Sequence, residues 1–347
     1  MDTTLLPYDE LVQTVTNIFS AHLPGDDARQ VAQCLVEADA RGVASHGIGR
    51  IPVYTQRLRL GLVNPKPQLK VLDAGNGFGA TAHVDGDNGM GYVVAHKAMA
   101  EAITRAQQHG ISLVLASRSN HFGMSASYVQ QALDAGLGAF VFTNAPPLMP
   151  VWGGRTPFLG TSPFAFGAPG ATPLLLDMAT SVVAFGKIRR AARLGEAIPA
   201  DWALDAQGRA TTDPHAAIDG VVLPMGGPKG SGLGLMMELL AGVMSGAAFG
   251  GEVRNQNADF SAPQNVGHAF IAFKPDAFLS PTDYQARAAQ LVERAKACTP
   301  AQGFSSIHMP GEREAAMATQ ARREGLHVSA QDLAMLQHEQ ALGLTPA

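Results

Sequence analysis

The sequence predicts a mixed α/β (α+β) protein in which helices pack on a mixed β-sheet. Two observations support this class. The first ~65 residues show helical periodicity with caps and breakers, and short apolar strands then alternate with helices and turns along the rest of the chain. The irregular spacing of these strands does not suggest tandem βαβ units, so a regular parallel sheet is not expected.

Three helices are predicted in the N-terminal segment. The first covers Tyr8–His22, and Asp26-Asp27 supplies acidic start signals for the second. Apolar residues of the second helix recur at helical spacing, and Gly42 follows its last turn as a cap. The third helix runs from about Gly47 to Leu60, because Pro65 and its neighbours cannot continue it.

The remaining elements divide the chain into two predicted domains. The predicted strands are Leu69–Leu72, Ala80–Val84, Ser112–Ala116, Gly138–Phe142, Phe164–Gly167, Leu174–Asp177 and Ala269–Phe273. The predicted helices are Gly91–Gln108, Ser125–Ala135, Val183–Ala192, Gly232–Ser245, Asp283–Ala297, Glu312–Arg323 and Ala330–Glu339. We expect the C-terminal helices to fold back on the N-terminal ones. Residues 1–67 and 310–347 would then form a helical subdomain, and residues 68–309 a mixed-sheet domain.

Composition and charge exclude several classes of protein. The chain has 347 residues, of which 46% are apolar and 16% charged, and its formal net charge is −4. Neither nucleic acid nor an anionic membrane surface is an expected partner of such a chain. The two cysteines, Cys34 and Cys298, cannot form a disulfide framework or a thiolate zinc site and fit a reducing cytosol. Because the N-terminus also lacks a basic and then apolar signal segment, we expect a cytoplasmic protein.

Residues 231–250 are apolar enough to resemble a membrane span. However, Glu238 lies near their middle, where a charge in lipid costs about 2.5–3.5 kcal/mol or more. We therefore predict a helix that is buried on all sides of a water-soluble fold.

The glycine-rich segment Gly226–Gly234 is the strongest local signal for a ligand. Its turn lets N–H groups converge, the helix that follows has a positive N-terminal end, and Lys229 and Gly230 lie between them. This pattern predicts a phosphate site, although a glycine hinge before a core helix has the same composition. A Walker loop is excluded because Gly230 stands where a hydroxyl residue is needed. The Gly75–Gly79 segment lacks the Rossmann spacing and is predicted to be a turn.

Two histidines are candidates for proton transfer. Ser45 and His46 are predicted at the start of the third helix, with Arg50 one turn later on the same face. An imidazole can exchange a proton near neutral pH, and a guanidinium can hold a carboxylate. The alternative is a capping Ser45 and a solvated Arg50.

His121 follows an apolar strand and precedes a helix, a place where α/β proteins carry their chemistry, although a buried structural histidine fits equally well. The scattered histidines predict no metal site.

Taken together, these segments resemble the malate/L-lactate (malate/L-sulfolactate) dehydrogenase family, and most of all its ureidoglycolate dehydrogenase branch. The resemblance spans nearly the whole chain. It rests on the segments Asp39-Ala40-Arg41-Gly42-x-x-Ser45-His46-Gly47-x-x-Arg50, Asn120–Gly123, Gly160–Gly167, Asp177–Ser181, Gly186–Ile188, Ile198–Asp205, Thr212–Pro214, Gly227–Gly230 and Pro310–Glu312.

The resemblance implies a non-Rossmann fold with a largely antiparallel sheet that binds NAD or NADP, with NAD favoured. It implies the interconversion of a small 2-hydroxy acid (malate, lactate, ureidoglycolate or sulfolactate type) and its 2-oxo acid. It also implies a homodimer with the site near the subunit interface. Rival possibilities are reduction of a cyclic imine (Δ1-piperideine-2-carboxylate or Δ1-pyrroline-2-carboxylate), reduction of a keto sugar acid, and nucleotide binding without redox activity.

The resemblance also implies residue roles. His121 would be the principal acid/base, with His46 as a second candidate. Ser45, Arg50, Thr161 and Lys187 would bind the substrate. The cofactor-binding residues would be His121, Ala145, Asp177, Met178, Ala179, Lys229, Gly230, Gly311, Glu312 and Arg313. Two positions depart from the family pattern: Ser162 stands where asparagine is frequent, and Lys187 replaces the aspartate of the imine-reducing branch, which weakens the imine alternative.

Overall fold

A seven-stranded β-sheet runs through the centre of the computed structural model, which describes residues 3–73 and 77–343. The strands are β1 (Thr3–Leu6), β2 (Lys70–Asp73), β3 (Thr81–Asp85), β4 (Ile111–Ser119), β5 (Gly138–Thr143), β6 (Phe164–Ala168), β7 (Leu174–Met178), β8 (Ala203–Leu204), β9 (Val221–Val222), β10 (Val266–Phe273) and β11 (Leu326–Ser329). Gly75 and Asn76 of the predicted turn, and residues 344–347 of the predicted helical subdomain, lie outside the described residues.

Helices surround this sheet. They are α1 (Tyr8–Ser20), α2 (Gly25–Ala40), α3 (Ile51–Arg59), α4 (Gly91–His109), α5 (Ala126–Asp134), α6 (Phe185–Leu194), α7 (Pro214–Ile218), α8 (Pro228–Met237), α9 (Pro281–Lys296), α10 (Glu312–Glu324) and α11 (Ala330–Gly343). Helix α8 continues as a π-helical segment, Glu238–Val243. Two short 3-10 turns, Ala44–His46 and Ile48–Arg50, precede α3.

The strand order of the large sheet is β2-β3-β4-β10-β5-β6-β7. Only β3 and β4 are parallel among its described pairs, and the other neighbours are antiparallel. All seven predicted strands are confirmed, as is the mixed, largely antiparallel sheet. This arrangement differs from a Rossmann domain, in which the strands are parallel.

The two faces of the sheet are covered unequally. Helices α4 and α5 pack on one face, where Val114, Val141 and Phe270 are fully buried. On the other face, α8 and its π-helical continuation form a much smaller buried cluster around Phe142, Met237 and Ala269. Aromatic side chains of β5, β6 and β10 on this second face remain only half-buried.

A helical layer joins the two ends of the chain. Strand β1 pairs antiparallel with β11, and α11 packs against α1 and α3. The carboxylate of Glu339 in α11 accepts bonds from Thr55 Oγ1 at 2.7 Å and Arg59 at 3.1 Å, so α3 is fixed to the C-terminal helix. The predicted helical subdomain is therefore present. The division into two domains stays a prediction. Tyr92 belongs to the 68–309 segment, yet it packs in the same apolar core as α1, α2 and α3, so this core is shared across the predicted boundary.

Two local predictions are wrong. Residues 47–50 do not begin a helix: Gly47 is extended, a 3-10 turn follows, and α3 begins only at Ile51, next to Pro52. The helix predicted to be buried on all sides instead leaves one apolar face exposed, including Leu239 at 52% exposure. Helix α7 and the short strands β1, β8, β9 and β11 were not predicted. None of the helices in the described ranges is both long and apolar enough to cross a membrane.

Five strands place their ends along one edge of the sheet. The register pairs Ser119 at the end of β4 with Val266 at the start of β10, and Thr143 at the end of β5 with His268. The start of β6 likewise lies beside the end of β7, where Phe164 pairs with Met178. Loops that are distant in sequence, residues 120–125, 144–163 and 177–180, consequently meet at this edge.

Candidate active site

The buried side chain of His268 forms the floor of this edge. Its Nδ1 lies 2.8 Å from Thr143 Oγ1 and its Nε2 2.8 Å from Ser119 Oγ, so it connects the ends of β4, β10 and β5. Phe122 stacks on its ring at a centroid distance of 4.5 Å. Burial lowers the pKa of His268 to about 3, so the ring is neutral and serves as a structural support.

His121 projects above this floor from the loop after β4. Its Nδ1 lies 2.7 Å from Tyr54 Oη and 3.3 Å from the backbone nitrogen of Gly123. Tyr54 Oη in turn lies 3.2 Å from Tyr92 Oη. In one neutral tautomer Nδ1 accepts from Tyr54 Oη and Gly123 N–H, and Nε2 carries the ring proton. In the other, Nδ1 donates to Tyr54 Oη, Tyr54 donates to Tyr92, and Nε2 is the unprotonated nitrogen left for a ligand.

His46 faces His121 from the 3-10 turn after α2. The two rings are stacked, with centroids 5.5 Å apart and 12° between their planes. Ser45 Oγ lies 2.9 Å from His46 Nδ1. Arg50 Nε donates to the carbonyl of Ser45 at 2.7 Å, and another of its nitrogens donates to Asn257 at 3.3 Å. His46 and Arg50 are thus brought together by a tight turn instead of by one face of a helix.

Both imidazoles are uncharged near neutral pH. Desolvation and the positive charge of Arg50 lower the pKa of His46 to about 4. Desolvation also holds the pKa of His121 well below its usual range, and the charges of His46 and Arg50 act in the same direction. Each neutral imidazole keeps one ring nitrogen with a free lone pair, which can accept a proton.

Two adjoining cavities open at the histidines. The smaller, about 50 Å³, is lined by His121 and Ala145, and the larger, about 530 Å³, extends along β7 to the start of α10. They share the lining residues His46, Gly123, Thr161 and Pro163. Thr161 is held in place because its carbonyl accepts both the N–H and the hydroxyl of Thr180. A small compartment that contains both histidines therefore adjoins a long one.

The larger cavity combines apolar walls with a few charged groups. Asp177, Met178, Ala179, Gly311 and Arg313 line it, as expected from the sequence. Asp177 Oδ2 accepts the N–H of Ala126 at 2.7 Å, and burial raises the pKa of this carboxyl to about 6. Gly311 has a φ of +83°, and a Cβ there would lie 2.6 Å from the carbonyl oxygen of Leu175, so only glycine fits this wall.

The sequence and the fold are similar to those of known proteins. The family model described as malate/L-lactate dehydrogenase matches residues 6–337. The chain belongs to this family. It is a dehydrogenase of the class that acts on CH–OH donors, and a nicotinamide cofactor and a small hydroxy or oxo acid are what this family uses.

Individual relatives differ in their named activities. L-sulfolactate dehydrogenase of Methanocaldococcus jannaschii is 40% identical over 293 residues, which cover 84% of this chain and 83% of that protein. Ureidoglycolate dehydrogenase (NAD(+)) of Escherichia coli O157:H7 is 36% identical over 92% of this chain and 91% of its own. A (2R)-3-sulfolactate dehydrogenase (NADP(+)) of Chromohalobacter salexigens is 38% identical over 74% and 76%, respectively.

Two solved structures of the same fold were also found. The sulfolactate dehydrogenase of M. jannaschii gives a TM-score of 0.91 at 34% identity, covering 98% of this chain and 97% of that one. The Δ1-piperideine-2-carboxylate reductase of Pseudomonas syringae pvar. tomato gives a TM-score of 0.87 at 31% identity, covering 97% of this chain and 100% of that one.

Some residues that the family resemblance suggested line neither of the two cavities: Ser45, Arg50, Lys187, Lys229, Gly230 and Glu312. Glu312 is bound to Lys296 and to the N–H of Met309. Lys187 is exposed on the first turn of α6, where its N–H bonds to Ala184, a residue of the cavity wall. Lys229 is exposed as well, although its turn packs on Thr180, next to Ala179. The roles of these residues stay predictions.

The glycine-rich turn does not present the free N–H groups that the sequence suggested. The N–H groups of Gly227, Lys229, Gly230 and Ser231 already bond to backbone carbonyls. These short-range bonds close the turn on itself, so the Lys229 side chain is the group that this segment offers to an anion.

Sequence reasoning missed several residues of this dehydrogenase site. Tyr54 Oη bonds to His121 Nδ1, and Gln264 Oε1 accepts the backbone N–H of His121 at 3.2 Å. Arg41 lines the larger cavity. The one available signal was the position of Tyr54, four residues after Arg50 and on the helix that follows it.

The tyrosine pair gives a first testable prediction. Tyr54→Phe removes the hydroxyl that bonds His121 Nδ1, so we expect kcat/KM to fall about tenfold, the equivalent of roughly 1.4 kcal/mol, with cofactor binding unchanged. Steady-state kinetics and cofactor titration measure both quantities. Tyr92→Phe is the matched control, because its hydroxyl contacts Tyr54 and not His121. Equal losses in the two variants would contradict a specific role of Tyr54 at the ring.

Proposed function

We propose that this dehydrogenase interconverts a small 2-hydroxy acid and its 2-oxo acid with NAD, and that His121 is the general acid/base. The supporting observation is the neutral His46–His121 pair at the junction of a small cavity and a long cavity. The small one suits a compact acid, and the long one suits a dinucleotide.

The residues of the larger cavity fit a nicotinamide dinucleotide. Arg41, His308 and Arg313 offer donors to phosphate oxygens, and Leu176 and Met178 offer apolar surface to a ring. The glycine at position 311 lets the start of α10 pack directly against Leu175 of the cavity wall. When bound, the nicotinamide supplies or takes the hydride. We favour NAD over NADP from the likeness to ureidoglycolate dehydrogenase (NAD(+)), and a comparison of both cofactors tests this choice.

The protein's own groups perform the remaining steps. Arg50 holds the substrate carboxylate, and Ser45 and Thr161 also bind the substrate. With the ring proton on Nδ1 and donated to Tyr54 Oη, His121 Nε2 accepts the hydroxyl proton during oxidation and returns it during reduction. His46 is the second candidate for this proton. The apolar loop 145–170 helps to exclude water from the reacting groups.

The substrate could instead be a cyclic imine or a keto sugar acid. The likeness to Δ1-piperideine-2-carboxylate reductase favours the imine alternative. Lys187, which replaces the aspartate of the imine-reducing branch, favours the hydroxy acid and would add a positive charge at the cavity mouth for an anionic substrate. We propose a cytoplasmic location, which suits the free cysteines Cys34 and Cys298.

A homodimer is proposed because the second face of the sheet is incompletely covered. The exposed apolar residues of α8 and its continuation share this face with the half-buried aromatic residues Phe140, Phe166 and Phe273. They are Leu235, Met236, Leu239, Val243 and Met244. A second copy of the chain would cover this continuous apolar surface, which monomeric proteins rarely leave open to water.

A substrate panel tests the proposed function. Purified enzyme is offered malate, lactate, ureidoglycolate, sulfolactate and the cyclic imines with NAD(H) and NADP(H), and nicotinamide absorbance is followed. We expect a hydroxy acid to be preferred, and His121→Ala to lower turnover by about 10²–10⁴-fold with cofactor affinity retained. Turnover confined to imines would refute the hydroxy-acid assignment. If His121→Ala stays active and His46→Ala does not, the acid/base role belongs to His46.

A charge-removal pair tests the phosphate role of Lys229. This side chain has no ion-pair partner among the described residues, so Lys229→Ala is expected to raise the cofactor Kd about tenfold, roughly 1.4 kcal/mol, with little change in kcat. Fluorescence titration with NADH measures the affinity. Lys70→Ala, which removes the same charge from the exposed strand β2, should leave the Kd unaltered. Unchanged affinity in Lys229→Ala would remove the residue from the cofactor site.

The proposed interface can be tested by placing a charge in its centre. Leu239→Lys would bury an ammonium group between apolar surfaces, so we expect the dimer to dissociate to monomers in light-scattering or sedimentation experiments. Leu291→Lys carries the same change on α9, where the leucine is 59% exposed and away from this face, and should remain dimeric. A wild-type monomer, or a dimeric Leu239→Lys protein, would place the interface elsewhere or abolish it.

A further inference from the structure

Asp39 is a residue of the family motif to which no role has yet been given. It lies on the last turn of α2, and its Oδ2 accepts the backbone N–H of Ile48 at 2.8 Å. Ile48 begins the 3-10 turn that ends at Arg50, directly after Ser45, His46 and Gly47. Asp39 therefore contacts the backbone between the two candidate site residues His46 and Arg50.

This contact is the main backbone anchor of the turn. The N–H groups of His46, Gly47 and Arg50 bond within the segment, to the carbonyls of Val43, Ala44 and Gly47. The bond from Ile48 to Asp39 ties this segment to α2, and the carbonyl of Ile48 accepts the N–H of Ile51 at the start of α3. Without it, the donor of a buried residue would lose its acceptor.

The environment of Asp39 is unfavourable for a carboxylate in every other respect. The residue is partly buried, lies near the negative C-terminal end of α2, and has no cationic partner within the described ranges. Burial raises the pKa of this carboxyl to about 7, and Asp332 acts in the same direction. Burying a carboxylate at this position costs folding free energy, and its bond to the Ile48 N–H is the compensating interaction.

Gly47 is fitted to the same carboxylate. A Cβ at position 47 would lie 2.0 Å from Asp39 Oδ1 and 2.3 Å from Oδ2, closer than non-bonded atoms can approach. The φ of Gly47 is −88°, which any residue can adopt, so the glycine is required by the close approach of Asp39 and not by its own backbone conformation.

We propose that Asp39 is a positioning residue, which holds the Ser45–Arg50 turn so that His46 faces the two cavities and Arg50 stays bonded beside it. This role rests on the proposed function, because it assumes that Arg50 binds the substrate carboxylate and that His46 faces the reaction. Asp39 acts only through the turn, since it lines neither of the two cavities of the active site.

Kinetics of two variants test the role of the acceptor oxygen. Asp39→Ala removes the acceptor and is expected to lower kcat/KM by roughly 10²-fold, with a raised KM for the substrate acid and an unchanged Kd for the cofactor. Asp39→Asn retains an oxygen at the same place and should keep most of the activity. Asp26→Ala, at the exposed opposite end of α2, is the matched control and should behave like the wild type. Wild-type kinetics in Asp39→Ala, or an Asp39→Asn enzyme as impaired as Asp39→Ala, would overturn the proposal.

Gly47 provides an independent test by double substitution. Gly47→Ala should impair the wild-type enzyme, because the new methyl group displaces the carboxylate, but should have little further effect in the Asp39→Ala background, where the space is free. Multiplicative losses in the double variant would contradict the proposed contact.

Hydrogen exchange of the Ile48 amide separates this proposal from the proposed function. We expect faster exchange in Asp39→Ala than in the wild type, and near wild-type protection in Asp39→Asn. Unaltered exchange in Asp39→Ala would overturn the anchoring role even if activity fell. If the substrate panel found no hydroxy-acid activity but the exchange changed as expected, the anchor would stand and the assigned reaction would fail.

Discussion

The arrangement of the site depends on one buried imidazole, that of His268. Its two ring nitrogens bond to hydroxyls on β4 and β5 while its own strand, β10, lies between them. A neutral ring with both nitrogens satisfied is stable in an apolar interior, where a charged one would not be. The three central strands are thereby held at the edge where the loops carrying His121 and Ala145 begin, and the stacked ring of Phe122 sets the path of the first loop.

The sheet could be predicted from the sequence because its strands are short apolar runs bounded by turn signals. Leu174–Asp177 and Ala269–Phe273, for example, lie almost where the structure has them. Elements that depend on distant partners could not be predicted: β1 exists because β11 pairs with it from more than three hundred residues away. The start of α3 was misplaced because the effect of Asp39 on Gly47 is a tertiary contact that helical spacing does not reveal.

His121 could be predicted from its residue type and its place after a strand, and Thr161 and Asp177 from the family resemblance. His121, Thr161 and Asp177 meet as expected, although 56 residues separate the first from the last. Tyr54 was missed because a tyrosine in a helix carries no chemical signature until its hydroxyl is seen beside His121. The composition of the segment around Lys229 correctly predicts a turn followed by a helix, but it also predicts N–H groups that are free for an anion. In the structure these N–H groups bond to carbonyls within the turn instead.

Because the rings of His46 and His121 are stacked, protonation of both at once is unfavourable. Neither aspartate nor glutamate is among the described residues that line the small cavity, so a proton on His46 lowers the pKa of His121 without a neighbouring carboxylate to offset it. An acid anion held at Arg50 would offset that repulsion, and by thermodynamic linkage anion and proton must then favour each other's uptake. During reduction, such an enzyme would take up a proton together with its anionic ligand. During oxidation, dissociation of the 2-oxo acid would favour release of the proton to solvent.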